Sequence, residues 1–315
     1  MIAAVAALTV IGYFLFRSGG GGGKPVNRAP YGWPLKPFDR PHPIRGNFAD
    51  PRMPNHHING PGPFSFHAGV DISAPGGTAV YSVAAGTVYV PDVKEAYLRG
   101  RPVALGVRGE GVRFEYWHIR PVVGSGRRIG AHQLLGRVIT KWGHVHLTEM
   151  WGDRAVNPLR VGGLKPYVDQ TKPTIVSIRL YQEGKYASAA TALSGRVDLV
   201  VDAYDTPQLK SNWPWAVVTP ALIRWRLLSA ATGKVLIPTQ TPVDFRLDSP
   251  KAALTNVFAP GTRQNGSKRA GIYNFWLMRG FNSSLLPNGA YRLVVLVSDT
   301  RGNTARKTVQ LTVGN

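Results

Sequence analysis

The chain reads as short apolar runs of alternating polarity, cut by glycine and proline, and no stretch sustains the 3.6-residue period of a helix. Between Ile44 and about Tyr167 the runs "TAVYSVAAGTVYV", "RPVALGVRGEGVRFEYWHI", "RIGAHQLLGRVI" and "HVHLTEM" predict an antiparallel β domain. In "VRGEGVRF", Gly109 and Gly111 predict the turn of a hairpin. A period of two puts Tyr116 and His118 on one face of "FEYWHI". It also puts His144 and His146 on one face of "WGHVHLTEM", with Glu149 on the other.

After "YVDQTKPTIVSIRL", where Pro173 marks a linker, a second series follows, with "GRVDLVVDAYD", "ALIRWRLLSAATGKVLI", "GIYNFWLM" and "GAYRLVVLVSDTRGNTARKTVQLTV" among its members. Its turn spacing predicts an immunoglobulin-like β-sandwich over residues 173–315, in which Tyr291 suits either a tyrosine corner or a plain core position. This half contains no histidine and is expected to bind or space, not to catalyse. At the other end, the apolar run "MIAAVAALTVIGYFLF" predicts a signal peptide or membrane anchor over residues 1–17. That implies an extracytoplasmic protein, secreted or held at the cell envelope. Residues 18–43, with "SGGGGGKP" and then recurring prolines, predict a flexible tether and an extended strap lying across a sheet.

A length of 315 residues suits two domains, and 43% hydrophobic against 17% charged residues argues for folded cores. The balance of 38 Lys and Arg against 17 Asp and Glu gives a net charge of +21 spread over both halves, a surface that seeks polyanions. C2H2 spacing, an RNP-like aromatic run and a basic heptad helix are all missing, which disfavours nucleic acid. Anionic cell-wall polymers, a membrane surface and acidic peptides fit the charge. With no cysteine there is neither a disulfide framework nor a thiolate metal site, so any metal must be held by histidine and carboxylate.

All eight histidines fall in the first half, at positions 42, 56, 57, 67, 118, 132, 144 and 146. A His-x3-Asp (His67, Asp71), a histidine ending an aromatic strand (His118) and a His-x-His (His144, His146) follow one another inside one small β domain. Catalytic zinc takes three protein ligands and keeps one position open for water. A His2Asp set meets that requirement and leaves other imidazoles free for proton transfer. His56 and His57 read as loop residues in preference to outer groups of the site, and His42 and His132 as surface.

"HAGVDISAPGGTAVYSVAAGTV", "YWHI" and "HVH", in this order, resemble the lysostaphin-type (LytM-like) zinc metalloendopeptidases, which cut peptide cross-links of bacterial peptidoglycan. The resemblance runs from roughly Ile44 to Leu164. "PIRGNFADPR" is similar to the family's opening segment and "VNPLRVGG" to its end. It implies an all-β metallopeptidase domain of the duplicated hybrid motif type over residues 44–168, an antiparallel sheet closed into a barrel-sandwich. It further implies one zinc per chain on His67, Asp71 and His146, with His118 and His144 as a catalytic pair that does not bind metal. The substrates it implies are cross-links or stem peptides of peptidoglycan. Three departures stand out: Pro61 to Phe66 lacks the tyrosine the family often carries there, "ITKWGHVHL" places Trp142 at the mouth, and "PDVKEAYLRGRP" is expected to wall a groove. The alternative is a non-catalytic envelope scaffold or activator of another wall hydrolase. Such relatives have typically lost ligands, whereas all five positions are present here. The oligomeric state is left open.

Overall fold

Alternation in the first half resolves into two main antiparallel sheets and two short two-stranded pairs, Pro51–Arg52 with Ser65–Phe66 and Tyr97–Leu98 with Arg101–Pro102. A computed structural model describes residues 30–53, 65–187, 191–215, 217–266 and 268–315. The predicted N-terminal segment, the start of the tether, His56 and His57 lie outside them. An eight-stranded sheet runs in the order Ile44–Gly46, Val70–Ser73, His144–Trp151, Val112–Trp117, Ala104–Gly109, Gly86–Tyr89, Arg128–Ile129, with Arg154–Val156 added to the end of the His144–Trp151 strand. Ile119–Pro121, Leu134–Val138 and Ala79–Tyr81 form a three-stranded sheet. Every second residue of "VRFEYW" is buried, Val112, Phe114 and Tyr116, so the alternation in the sequence becomes the core face of the strand. The hairpin turn is Glu110–Gly111, with Gly111 at φ 63°, while Gly109 stays in the ladder opposite Val112.

The proline-rich strap is more than a tether. From Tyr31 onward it packs into the first domain: Trp33 is fully buried and donates its indole N–H to the Pro166 carbonyl (2.6 Å), and the Tyr31 hydroxyl donates to Glu149 (2.6 Å). Prolines keep the segment extended, and its aromatic side chains still gain by leaving water.

The second half is a β-sandwich. One sheet runs Lys185–Tyr186, Thr174–Gln182, Arg196–Tyr204, Asn274–Asn282; the other runs Ala192–Leu193, Thr304–Val313, Gly289–Ser298, Leu222–Ser229, Val235–Asp244. Ala192–Leu193 lies parallel to its neighbour and the other pairings are antiparallel. Leu199, Val201, Phe275, Ile223, Leu293 and Val295 fill the space between the sheets. The Tyr291 hydroxyl donates to the Pro287 carbonyl four residues upstream, at the start of its strand, which is the corner contact and not merely a packed ring.

The halves meet over a buried face. Phe66 packs edge-on to Phe245 and beside Phe258, and Asn157 bonds the backbone of Phe245 and Leu247. At the junction Asp169, Asp205 and Asp299 are all buried, with carboxylate oxygens within 4.8 Å of one another. Burial pushes the Asp205 carboxyl well above the usual range, and the charges of Asp169 and Asp299 push it further. A carboxyl raised in the folded state stabilises at pH values below its unfolded value and loses that contribution as pH rises through the folded one. Asp205→Asn is therefore expected to raise the melting temperature at pH 8 by a gain on the order of 1 kcal/mol, a gain that fades as pH falls through the raised folded value and is gone by about pH 4. Thermal scans at both pH values check this, and a lower midpoint at pH 8 would show that the charged cluster is satisfied.

Candidate metal centre

Asp71 and His146 stand directly opposite each other in the antiparallel pair of Val70–Ser73 with His144–Trp151, and Ser73 stands opposite His144. Those four side chains share one face of the sheet. His67 arrives through the short turn that precedes the strand. A Cβ on Gly69 would lie 2.2 Å from the Leu147 carbonyl oxygen, so only glycine lets that turn lie flat against the His-x-His strand. The result is a tight group of donor atoms: His67 Nε2 is 2.6 Å from His146 Nδ1, and Asp71 Oδ1 is 3.1 Å from each.

The rings are aimed by their other nitrogens. His67 Nδ1 is 2.7 Å from the Asn47 carbonyl, which can only accept, so His67 Nε2 is bare. His146 Nε2 is 2.7 Å from the Thr148 hydroxyl oxygen, and as its donor leaves Nδ1 bare as well. Two bare nitrogens 2.6 Å apart beside a carboxylate repel one another until a cation sits among them. Burial, followed by the charge of Arg52, lowers the His67 pKa. Burial, followed by the charge of His67, lowers that of His146 to about 4. Burial would raise the Asp71 carboxyl, but His67, Arg52 and His144 outweigh it and hold the group well below the usual carboxylate range. Arg52 also bonds Asp71 Oδ2 at 2.6 Å. Neutral imidazoles and an ionised carboxylate, each held by a second partner, make a donor set that fits zinc.

His144 Nδ1 donates to the Trp142 carbonyl (2.8 Å), which leaves Nε2 bare at 3.4 Å from Asp71 Oδ1. The His118 ring lies 4.5 Å from that of His144 and 4.6 Å from Trp142. Burial, with the nearby charges of His144 and His146, pushes its pKa down to about 2. The expectation that His118 shares a face with Tyr116 fails. Tyr116 is fully buried and stands opposite Leu147, whereas the residue opposite His146 is Trp117. His118 adopts φ 67°, a left-handed step that breaks the alternation and swings its ring to the histidine face.

Residues 65–158 match peptidase family M23. All five histidine and aspartate positions of the centre lie within the match. No curated protein matches the chain. Among solved structures, it is similar to Helicobacter pylori Csd3 at 20% identity over 42% of this chain and 34% of that one, with a TM-score of 0.31. It thus spans about a third of the length of Csd3. A mutant catalytic domain of the prophage-encoded M23 protein EnpA from Enterococcus faecalis is 23% identical over 43% of this chain and 98% of that one (TM-score 0.30). Lysostaphin is 14% identical over 67% and 98% (TM-score 0.33).

The other described histidines of the first half stay out of the centre. His132 is exposed and stacked on Phe38 (4.0 Å between rings), and His42 bonds the Pro37 carbonyl. Glu149 faces away as its strand parity requires, clamped by both Arg160 terminal nitrogens at 2.6 and 2.8 Å. The excursion at residues 91–102 returns at Val103, whose carbonyl accepts from Ile119 beside His118.

Several residues at the centre were not singled out from the sequence: Asn47, Asp50, Arg52, Thr148 and, from the second half, Asn212 and Thr219. Thr148 had a periodic signal, two positions beyond His146 on the same face, while Asn47, Asp50 and Arg52 lie within "PIRGNFADPR" without being marked individually. Asp50 is buried and accepts from the Thr219 N–H and hydroxyl (both 2.8 Å) and from Asn47 N–H (2.8 Å). Asn47 donates to the Thr219 carbonyl and holds His67. His67 N–H donates to the Asp50 carbonyl, and Ala49 N–H to that of His67. The second half is therefore not a mere spacer. It buttresses the segment that aims a donor of the first domain.

Proposed function

We propose that this chain is a zinc-dependent endopeptidase that hydrolyses cross-links or stem peptides of bacterial peptidoglycan, working outside the cytoplasm. The convergence of His67 Nε2, Asp71 Oδ1 and His146 Nδ1 carries the reading, joined to the M23 match over the same residues. Zinc bound there would supply a water whose pKa is lowered toward about 7 and a Lewis acid for the scissile carbonyl. His144 Nε2, bare and aimed at the centre, is placed to take the water's proton and later return it to the leaving amine. His118, kept neutral, adds a second imidazole against His144, with the Trp142 ring packed beside it. We read the second half as an immunoglobulin-like sandwich on its strand order and on the Tyr291 corner. The charge of +21 favours anionic wall polymers as its surroundings.

The test is to treat purified peptidoglycan with the zinc-loaded protein and weigh the soluble products, which should carry one added water per cut peptide bond. If the protein binds zinc yet releases nothing from any wall type, the scaffold reading replaces this one.

The buttress gives a further expectation. Thr219→Val removes a hydroxyl from the Asp50 pair and is expected to weaken zinc binding about tenfold, the low end for outer partners of a metal site. Thr219→Ser should restore it. Competition with a chromophoric chelator measures both, and a folded Thr219→Val protein with parental affinity would show that the contact is not felt at the metal.

A further inference from the structure

We propose that Arg45 and Trp213 form an anion subsite at the edge of the metal centre and take a free carboxylate of the peptide substrate. This deepens the peptidase reading and rests on it for the substrate class.

Arg45 sits at a bulge. Ile44 stands opposite Ile72 and Gly46 opposite Asp71, so two steps along one strand meet a single step along the other. Ile44 is buried in the core, and a Cβ on Gly46 would lie 2.5 Å from Asp71 Oδ2. The extra residue is turned out of the core toward the Asp71 side, the use of a bulge that re-aims a side chain beside a site. Its guanidinium donates to the Trp142 carbonyl (2.9 Å), one residue before the Gly143–His144 bend.

The second half completes the subsite. The Trp213 ring lies under the guanidinium carbon of Arg45 at 4.2 Å. Its neighbour Asn212 bonds the Ser73 hydroxyl, and Ser73 is the residue opposite His144. A planar cation is thus held over an indole, half-buried, next to the reacting centre. Among the described residues its hydrogen-bond partner is a carbonyl, and no carboxylate lies within ion-pair distance of it; Asp71 already holds Arg52. A guanidinium stacked on an aromatic ring and still carrying free N–H groups is suited to bind carboxylate, and partial burial strengthens the contact.

The test uses zinc-loaded protein carrying His144→Ala, which slows turnover enough for binding to be read, and a synthetic stem-type peptide in two forms, with free carboxylates and with each carboxylate amidated in turn. Calorimetry is expected to show that one of the amidations weakens binding about ten- to a hundredfold, the range for a hydrogen bond to a charged group. Adding Arg45→Gln should bring the free form to the level of the amidated one, with zinc content unchanged, and Trp213→Ala should narrow the gap. Equal affinity for all forms, no binding of any form, or a preference that survives Arg45→Gln would each overturn the subsite. Cleavage by the parent protein separates the two readings. Equal cleavage of free and amidated peptides sinks the subsite and spares the peptidase, whereas Arg45-dependent binding without any cleavage does the reverse.

Discussion

Asp71→Ala is expected to strip the chain of zinc and end peptide hydrolysis. Asp71 supplies the one negative charge among the three donors, and its second oxygen holds Arg52 at 2.6 Å. Alanine leaves two bare imidazole nitrogens 2.6 Å apart with no carboxylate to balance a dication, and it strands a guanidinium in a partly buried place. Zinc per chain after dialysis should fall from about one to near zero. Thermal stability should fall as well, since the metal binds only the folded site. His67→Ala and His146→Ala should follow it, each removing one of the three donors that an open zinc site requires. Zinc retained in full by all three variants would overturn the ligand assignment.

Much of this centre was legible because β-strands enforce a period of two. His144 and His146 had to share a face, Glu149 had to leave it, and the structure pairs them accordingly with Ser73, Asp71 and Val156. His118 defeated the same rule because one left-handed residue resets the alternation, and nothing in "YWHI" marks which residue takes that step. Arg52 and Asn47 carry no periodic signal at all; their place depends on how an irregular segment folds back over the sheet. Thr219 was further out of reach, being 169 positions from the Asp50 it bonds. The lack of histidine in the second half, read as binding or spacing in place of catalysis, leaves room for influence on the centre, because backbone and hydroxyl groups can aim a metal donor without touching the metal. The Tyr291 corner, by contrast, was local enough to be anticipated, since its acceptor lies four residues away.

Enzyme and scaffold part at His118 and His144. Changing either to alanine is expected to leave about one zinc per chain, because neither belongs to the group formed by His67, Asp71 and His146. Hydrolysis should nonetheless fall about 10²- to 10⁴-fold, the usual worth of positioned proton transfer. His144→Ala should take the larger loss: its Nδ1 is committed to the Trp142 carbonyl, so its bare Nε2 is fixed toward the centre, 3.4 Å from Asp71. His118 is held by packing between Trp142 and His144 on a strained backbone step, and a ring kept neutral down to about pH 2 is available as an acceptor over the whole working range. Replacing it with alanine removes that acceptor and also relaxes the wall that shields His144. Zinc content, melting temperature and single-turnover rates on one peptide, measured together for both variants, separate these effects. Parental turnover in either variant would make that histidine structural, and loss of zinc along with the rate would show that it supports the metal instead of the proton.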